Sequence, residues 1–367
     1  MKIIGIFCLC LLPFWTFAKD FPRVEGPCDL RFPEDHGPHR DFRTEWWYYT
    51  GNVRTEAGRD FGYQLTFFRS RLVAPGRIPP SENPSAWRAE EVWMAHAAVS
   101  DMQGKRHVHA SRLMRENPGL VQVSMEKGHF TLTMGSWRLG LGEGRHTLTA
   151  ESPDFAFHLD LVPEKPLILH GEGGYSLKGN APERASCYYS FTRLQTEGMV
   201  EMGGQSYRVR GLSWMDHEFS SEPLDPEAVG WDWFSIQLAD GYDLMVFQVR
   251  AKDGSGLMTS GTLVDPEGKS LPIPMKDVAL SVLSTWRSPG TGGLYPASWR
   301  LKIPTLDLVL FLESRLEDQE MRSQETPGSV VYWEGSIAVS GRHRGKSVKG
   351  QGYAELTGYA GSLAGRL

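Results

Sequence analysis

The sequence predicts an all-β protein built from two tandem antiparallel β-barrel domains. Aromatic and β-branched runs alternate with turns rich in glycine and charge along most of the 367 residues, which is typical of successive hairpins. No window carries apolar residues at helical spacing over about ten positions. The second half of the chain also repeats motifs of the first half in the same order, so one barrel domain is expected twice.

The predicted strands of the first half follow one another at short intervals. The clearest hairpin joins residues 45–53 to residues 61–69 across a polar turn that runs through Gly58. Five further runs are predicted strands, at residues 92–99, 130–134, 137–141, 147–150 and 155–161. Such a series fits an up-and-down barrel, and about eight to ten strands would leave an interior able to hold one small ligand.

Five matches between the halves support the duplication. They are Trp46 and Trp47 with Trp231 and Trp233, residues 62–69 with 241–250, 99–105 with 263–269, 136–139 with 298–301, and 209–216 with 348–355. Chance would rarely supply five matches in one order. The predicted domains are therefore residues 45–219 and 230–367, joined by a linker at residues 220–229.

The start of the chain has the layout of a secretory signal, with Lys2, an apolar run at residues 3–17 and Ala18 before a charged pair. The run is about 15 residues long, shorter than the roughly 20 that span a bilayer as a helix. We therefore expect cleavage after Ala18, export to the periplasm or cell envelope, and a lead-in at residues 19–44. Cys28 and Cys187 would remain, either paired or as buried thiols.

Composition and motifs exclude several classes of function. A net charge of −5 with mixed signs argues against nucleic acid as a partner. The chain lacks a Gly-x-Ser-x-Gly elbow, a His-Glu-x-x-His pair and a phosphate-binding loop. His107 and His109 share a strand face, but no third ligand lies nearby in the sequence. No metal and no cofactor are predicted.

Strand alternation groups the unusual side chains onto shared faces. Three such groups stand out, namely Trp214, Asp216 and Glu218 against Met215, His217 and Phe219; Trp231, Trp233, Ser235 and Gln237; and Glu45, Trp47 and Tyr49. If these faces line the barrel interiors, they combine an apolar wall with a few fixed polar groups. That is the usual chemistry of a small-molecule pocket.

A purely structural role explains the same residues. Tryptophans near barrel ends fill cores, and an acid beside an indole can simply accept its N–H bond. A carboxylate on an aromatic face must find a partner or carry a raised pKa, which leaves both interpretations open for Glu45 and Asp216. For His96, a satisfied histidine of the core or rim is the favoured interpretation.

Longer motifs resemble one family. They are Glu45-Trp46-Trp47-Tyr48-Tyr49-Thr50-Gly51, Gly62-Tyr63-Gln64-Leu65-Thr66-Phe67-Phe68-Arg69, Trp214-Met215-Asp216-His217-Glu218, Gly230-Trp231-Asp232-Trp233-Phe234 and Tyr332-Trp333-Glu334-Gly335. The chain resembles the AttH/CrtC family of tandem lipocalin-like proteins, which includes carotenoid 1,2-hydratase-like and secreted hydrolase-like members. The resemblance covers nearly all of the mature chain and implies two lipocalin-like barrels.

The hydratase branch of that family adds water to a terminal double bond, and this requires a carboxylic acid of raised pKa and a surface that stabilises a cation. The branch carries Trp-x-Gly-x-Gly-Tyr-x-Asp in the segment matching residues 170–177. Here Tyr175 is kept, His170 stands near the tryptophan position and Leu177 replaces the acid, so the proton donor of that branch is missing. Residues 174–178 look like the exported AttH branch, whose members accompany ABC-type permeases.

Three functions are therefore considered, namely a ligand-binding protein, an enzyme and a purely structural protein. The first is an exported protein that binds a long apolar, lipid-like or isoprenoid-like ligand, in association with an ABC-type transporter. The alternative is a hydratase or hydrolase acting on a prenyl or carotenoid-like substrate. The third is an envelope scaffold whose tryptophans only fill cores. The candidate catalytic residues are Asp216, His217, Glu218 and Tyr175, and the candidate ligand contacts are Glu45, Trp46, Trp47, Tyr49, His96, Trp214, Trp231, Trp233 and Gln237.

Overall fold

Two large antiparallel sheets make up the fold, one over Thr44–Ser220 and the other over Ala228–Thr357. The computed structural model describes residues 20–76, 89–116, 119–142, 144–222, 224–322 and 330–362. The predicted signal segment, residues 1–18, lies outside the described residues. Helical structure in the described part is confined to three single 3₁₀ turns, Glu34–His36, Met275–Asp277 and Pro304–Leu306.

The first sheet has 13 strands. They are β1 Thr44–Arg54, β2 Asp60–Arg71, β3 Glu91–Asp101, β4 Arg106–Arg115, β5 Val121–Glu126, β6 His129–Met134, β7 Trp137–Gly142, β8 Arg145–Glu151, β9 Phe155–Pro163, β10 Ile168–Leu169, β11 Tyr175–Leu177, β12 Ala185–Met202 and β13 Gln205–Ser220. Their order is β4-β3-β2-β1-β13-β12-β9-β8-β7-β6-β5, with β10 and β11 also pairing β12. The sheet curls into a nearly closed barrel, and Arg112 of β4 reaches across the gap to donate to the Met134 carbonyl at 2.6 Å.

The second sheet has ten strands and forms a half-barrel. They are β14 Ala228–Leu238, β15 Asp243–Ala251, β16 Gly256–Val264, β17 Ser270–Ile273, β18 Ala279–Arg287, β19 Leu294–Ile303, β20 Leu308–Ser314, β21 Glu320–Met321, β22 Tyr332–His343 and β23 Lys346–Thr357. The order is β17-β16-β15-β14-β23-β22-β20-β19-β18, and β21 pairs β22. The all-β prediction is confirmed, although the second domain stays open where a closed barrel was expected.

Both sheets follow one plan. Each begins with four strands that pair in sequence, and the first of the four then pairs with the last strand of its own sheet. One of the five sequence matches does not fit this plan. The match of residues 136–139 with 298–301 would make β7 the counterpart of β19. In the sheets, however, β19 lies two strands from β22, and the strand two positions from β12 is β8, not β7. That match therefore does not mark equivalent strands.

Side chains fill the barrel interiors, and the part of the chain that the structure describes shows no ligand space inside them of the kind the sequence predicts. Trp47 stacks between Trp93 and Phe130, with ring centroids 5.8 and 5.5 Å away, and a continuous apolar core surrounds these rings. A cavity of about 220 Å³ instead lies between Phe21 of the lead-in and Leu72, which follows β2. Large aromatic rings are the physical cause, because each fills a volume that a smaller side chain would leave open.

The two sheets pack face to face through a third cluster of buried side chains, which we call the interdomain layer. Its apolar members are Tyr48, Tyr188, Trp214, Ala228, Trp233, Met245, Phe247, Val249 and Tyr353, with Trp46, Leu224, Trp231, Leu257 and Met258 at its partly buried margin. Direct polar contacts cross it as well. The Asn52 amide donates to the Gly352 carbonyl at 3.1 Å, and Arg193 pairs with Asp243 at 2.6 Å.

The lead-in before β1 wraps the first barrel. A disulfide joins Cys28 to Cys187 at the start of β12, which decides between the two states that the sequence leaves open. No helix among the described residues has the length and apolar character needed to cross a membrane.

Candidate functional site

Alternate side chains of β13 lie in two different environments. Met215 and His217 face the core of the first barrel, whereas Trp214 and Asp216 face the interdomain layer. The grouping follows the alternation that the sequence predicts, but the tryptophan-and-acid face does not line a barrel interior. Since an aromatic face of this size is too apolar to remain in water, the second sheet covers it.

Asp216 lies at the centre of the interdomain layer and accepts three hydrogen bonds. Tyr188 donates to Oδ2 at 2.8 Å, Trp214 Nε1 donates to Oδ1 at 2.6 Å, and the Ser190 hydroxyl also donates to Oδ1. Burial raises the pKa of Asp216 to about 7, although these hydrogen bonds act in the opposite direction. A carboxyl group with this pKa is suited to both giving and taking a proton near neutral pH.

A hydrogen-bonded chain runs from Asp216 to the second sheet. Ser190 Oγ lies 2.6 Å from His170 Nε2, and the other ring nitrogen, Nδ1, lies 2.9 Å from Thr262 Oγ1 of β16. Burial, with the positive charge of Lys178, lowers the pKa of His170 to about 3. The imidazole is therefore neutral at pH 7, with one nitrogen as donor and the other as acceptor.

Two further carboxyl groups enter the layer from the second sheet. Glu355 accepts a bond from Trp231 Nε1 at 2.8 Å, and burial raises its pKa to about 7. Glu334 accepts one from the Tyr48 hydroxyl at 2.7 Å, while its Oε2 has no partner among the described residues. Burial and the nearby Glu355 raise the pKa of Glu334 well above its usual range.

Aromatic rings enclose these acids. Trp233 meets Tyr48 edge to face at 5.1 Å and Trp214 at 6.2 Å, and its Nε1 donates to the Tyr188 hydroxyl at 3.1 Å. One face of Asp216 is thus bounded by indole and phenol rings. Half-buried Trp46 and Trp231 lie at the margin of the layer. A void of about 10 Å³, too small for a ligand, lies between the sheets beside Trp214.

Glu218 is not a free acid. Lys178 lies 3.0 Å from its carboxylate, and the Ser186 hydroxyl donates to the same oxygen. The ammonium group of Lys178 also sits 4.5 Å from the Tyr188 ring and 4.1 Å from the Phe247 ring. This buried cation is therefore shared between a carboxylate and two aromatic faces.

Two of the predicted ligand contacts tie the sheets together. Gln237 donates to the carbonyls of Thr192 and Ser213, at 2.8 and 3.0 Å. His96 contacts the second sheet through the Tyr332 hydroxyl, 2.8 Å from its Nδ1. Gln237 Nε2 and His96 Nδ1 therefore make contacts between the sheets, whereas His96 Nε2 is buried with no hydrogen-bond partner among the described residues.

Tyr175 lies outside the interdomain layer. Its ring packs beside Cys187 and Phe219, and its hydroxyl donates to the Pro182 carbonyl. Tyr175, a candidate catalytic residue, therefore has no hydrogen bond to Asp216 or Glu218 among the described contacts. The tyrosine that donates to Asp216 is Tyr188.

Inside the first barrel, a second polar group gathers around Glu45. Its Oε1 lies 2.8 Å from both His39 Nδ1 and His217 Nε2, and its Oε2 accepts from Arg69 Nε at 2.8 Å. Burial disfavours the charged carboxylate, but the two histidines outweigh it and hold the pKa of Glu45 well below its usual range. His39, Glu45 and His217 offer three ligand atoms within 4.8 Å of one another, a set that could hold a metal ion.

The remaining predicted contacts line the core of the same barrel. Trp47 stacks on His217 at 4.6 Å and donates to the His36 carbonyl, and the Tyr49 hydroxyl lies 3.0 Å from His146 Nδ1. Glu45, Trp47, Tyr49 and His217 therefore lie together, on the opposite side of the sheet from Asp216.

Comparison with known proteins identifies the family. A family model described as AttH-like matches residues 23–359, which is nearly the whole of the described chain. The chain belongs to the AttH-like family. The resemblance inferred from the motifs is thereby confirmed, and a solved structure of a Nitrosomonas europaea protein assigned to AttH agrees with it. That protein is 35% identical, covers 92% of this chain and 99% of its own, and superposes with a TM-score of 0.80.

Two more distant relatives of this AttH-like chain carry enzyme names. Kievitone hydratase from Nectria haematococca is 15% identical, with 93% of this chain and 94% of that one covered and a TM-score of 0.69. At that identity the likeness concerns the fold. The dehydratase asqC of Emericella nidulans is 23% identical over 221 residues. The match spans 55% of this AttH-like chain and 57% of that protein's length.

Sequence reasoning on this AttH-like chain missed several residues of the layer. They are Tyr48, His170, Lys178, Tyr188, Ser190, Glu334 and Glu355. A signal existed for Glu355, because the internal repeat aligns it with Asp216, and for Glu334, which lies in one of the family motifs. His170 appeared only as a departure from the hydratase pattern, yet it provides the link between Ser190 and Thr262.

Proposed function

We propose that this AttH-like protein is a hydro-lyase, a hydratase or dehydratase, that works in the interdomain layer with Asp216 as its general acid and base. One observation carries the proposal. Asp216 is fully enclosed by aromatic and hydroxyl groups, and its pKa of about 7 leaves both protonation states accessible at neutral pH.

The chemistry follows from these surroundings. In hydration, the protonated carboxyl of Asp216 gives its proton to one alkene carbon, and the indole faces of Trp214 and Trp233 stabilise the cation formed at the other. Water adds to that cation and returns a proton to the carboxylate, so the net change is H–OH across the double bond. Dehydration is the reverse, in which Asp216 protonates the departing hydroxyl and then accepts a proton from the adjacent carbon.

The chain from Asp216 through Ser190 to His170 has a positioning role in this proposal. Ser190 donates to the carboxylate when Asp216 is ionised, and neutral His170 donates to Ser190 in turn. Tyr188 holds the second carboxylate oxygen. These donors stabilise the ionised form, which the acid must reach after each proton transfer.

The relatives support the class of reaction. A hydratase of the same fold and a dehydratase of related sequence both bear names for adding or removing water. The competing proposal is a carrier for a long apolar ligand held between or within the barrels. Both sheets have packed cores among the described residues, which disfavours binding within a barrel, and binding between the sheets would need the same opening as the hydro-lyase. Export fits the Cys28–Cys187 disulfide, which persists in oxidising compartments. Association with an ABC-type transporter stays a prediction.

The substrate class follows from the walls of the layer. It is an apolar molecule with an alkene or a tertiary alcohol, because such a compound gives a cation that indole faces can stabilise. The void of about 10 Å³ beside Trp214 cannot hold it. Entry therefore requires the sheets to part at the half-buried margin formed by Trp46 and Trp231.

Isotope incorporation tests the proposal, because hydration adds hydrogen and oxygen from water to an alkene, and reversible dehydration exchanges the hydroxyl oxygen and an adjacent hydrogen of an alcohol with water. Purified protein is incubated in D₂O and H₂¹⁸O with a panel of prenyl alkenes and tertiary allylic alcohols, and label incorporation is followed by mass spectrometry. Wild type should incorporate both labels into at least one compound, and Asp216→Asn should lower the rate by about 10²- to 10⁴-fold. Asp232→Asn, which alters a buried aspartate paired with Arg250 rather than Asp216, is the control, and its rate per folded molecule should match wild type.

Two results would count against the proposal. Label incorporation that persists in a folded Asp216→Asn variant would show that another group moves the proton. Absence of incorporation by wild type, combined with tight binding of the same compounds, would favour the carrier instead.

A further inference from the structure

The polar group around Glu45 in the first barrel contains more partners than are needed to satisfy a buried arginine–carboxylate pair. In the second sheet, Arg250 pairs with Asp232 at 2.9 Å, and the Tyr359 hydroxyl completes the site at 3.0 Å from both carboxylate oxygens. A buried arginine and carboxylate are thus satisfied there without any histidine. The first barrel pairs the equivalent arginine, Arg69, with a carboxylate from a different position, Glu45, and adds two imidazoles.

The two imidazoles converge on a single carboxylate oxygen. His39 Nδ1 and His217 Nε2 each lie 2.8 Å from Glu45 Oε1, and the three donor atoms fall within 4.8 Å of one another. Tetrahedral coordination at the usual Zn–N and Zn–O lengths spaces neighbouring ligand atoms roughly 3.3 Å apart. For an ion to enter, the two 2.8 Å contacts would each have to lengthen by about half an ångström, and the two imidazole nitrogens would have to settle at the same spacing.

Each of the three donors is held from behind by a second partner. The other nitrogen of His39 lies 3.1 Å from Asp35, and the other nitrogen of His217 lies 2.8 Å from the Tyr189 hydroxyl. Arg69 holds the second oxygen of Glu45 at 2.8 Å. Metal-binding histidines and carboxylates typically have their outward atoms fixed in this way, because it sets the tautomer and the direction of the ligand atom.

The surrounding charge favours a cation. The ion pairs that connect to Glu45 among the described residues join four carboxylates, Asp35, Glu45, Glu91 and Glu116, to only two guanidinium groups, those of Arg40 and Arg69. Carboxylates thus outnumber guanidinium groups in this network, and a bound cation would offset the excess.

The group is also accessible from one side. His39 and Asp35 belong to the lead-in and keep 15% and 24% of their side-chain surface exposed, whereas Glu45 and His217 are fully buried. An ion could enter by a small displacement of the lead-in. His39 would then close the site from the solvent side.

We propose that His39, Glu45 and His217 form a binding site for a divalent transition-metal ion of the Zn²⁺ class. Two imidazole nitrogens and one carboxylate oxygen are a donor set that Zn²⁺ and Co²⁺ accept readily, with water as the fourth ligand. The site lies on the opposite side of β13 from Asp216 and does not depend on the proposed hydro-lyase activity.

Metal binding by the full chain tests this proposal directly. Protein stripped with chelator is titrated with Zn²⁺ and with Co²⁺, stoichiometry is measured by elemental analysis after dialysis, and the Co²⁺ visible spectrum reports coordination by nitrogen and oxygen. Wild type should bind one equivalent, and its melting temperature should rise. His39→Ala should weaken binding by about 100-fold or more, and Asp35→Asn, which removes only an outer partner, by roughly 10-fold.

The control is His146→Gln, which alters a buried histidine of the same barrel bonded to Tyr49 and should leave affinity unchanged. His39 lies near the surface, so its alanine variant should fold and remains informative even if a His217→Gln variant does not. Wild type that binds no stoichiometric metal, or binding that survives unchanged in His39→Ala, would overturn the proposal. A lower melting temperature of metal-free His39→Ala, with no metal bound by wild type, would assign the group a structural role.

Discussion

Each copy of the repeat buries an arginine and a carboxylate at the same end of its sheet, but the two copies satisfy the hydrogen bonds of this ion pair with different side chains. The second copy completes the pair with a tyrosine hydroxyl, and Leu356 pairs across the strand with Asp232. The repeat aligns Leu356 with His217, which contacts Glu45 in the first copy. The comparison separates what the fold needs, an ion pair with its hydrogen bonds satisfied, from what the first copy adds to it.

A second comparison concerns the facing acids of the interdomain layer. Asp216 and Glu355 occupy equivalent positions on β13 and β23, and burial raises the pKa of both to about 7. Their environments differ, however. Asp216 accepts bonds from Tyr188, Ser190 and Trp214, whereas Glu355 accepts one from Trp231. The repeat contains a buried acid in each copy, and among the described contacts Asp216 is the one connected through the Ser190 hydroxyl to His170.

The largest effect is expected from removing either arginine. Arg69→Met should lower the free energy of unfolding by about 3 to 5 kcal/mol, because Glu45 and Glu91 both lose the buried guanidinium group that pairs with them. Arg250→Met should be at the low end of that range, about 3 kcal/mol, because Tyr359 still donates to Asp232. Urea titration followed by tryptophan fluorescence measures both. Equal losses would mean that the two ion pairs are equivalent after all.

A smaller effect concerns pH and the two acids. Asp216 and Glu355 keep their protons in the folded state up to about pH 7, while the unfolded chain releases them near pH 4. The unfolded state therefore binds fewer protons in this window, and stability should fall as pH rises from 4 to 7 and then level off. Each acid contributes at most about 3 to 4 kcal/mol to that fall.

The matched variants isolate this contribution. Asp216→Asn and Glu355→Gln should each flatten the decline relative to wild type, since groups that titrate elsewhere cancel in the difference. Melting temperatures measured from pH 4 to pH 8 provide the test. A wild-type profile that rises over this range, with variants that do not differ from it, would show that neither acid is protonated in the folded protein.

The smallest effects distinguish the two tyrosines. Tyr189→Phe should cost about 2 kcal/mol, because its hydroxyl lies 2.8 Å from both His36 Nδ1 and His217 Nδ1, and both nitrogens would lose a partner. Tyr359→Phe should cost about 1 kcal/mol, because Arg250 still satisfies Asp232. Thermal unfolding of the two variants side by side would reveal the difference, and a reversed order would contradict it.

Much of the architecture could be predicted from local pattern. Aromatic and β-branched runs identified β1, β2 and β3, and alternation correctly placed Trp214 beside Asp216 and opposite His217. Alternation cannot tell which face turns inward, because that depends on what packs outside the barrel. The tryptophan face of β13 was therefore assigned to a barrel interior, although it meets the second sheet.

The site itself was harder to predict, because its members come from distant parts of the chain. Tyr48 and Glu334 are 286 positions apart and meet only when the sheets pack. His39 lies in an irregular segment with no strand pattern, so nothing in its neighbourhood indicated that it would reach Glu45. The internal repeat was the one long-range signal, and it aligned Asp216 with Glu355.

Two adjacent residues of β13 belong to different polar groups, because Asp216 faces the interdomain layer and His217 faces the Glu45 group inside the first barrel. Inserting or deleting a single residue upstream in this strand would exchange the two faces, sending the carboxyl into the barrel and the imidazole towards the second sheet. A substitution in β13 therefore alters one side chain on one face, whereas a change in the length of the strand would displace both Asp216 and His217 from their present positions. The spacing of this strand constrains the protein more tightly than the identity of most side chains on it.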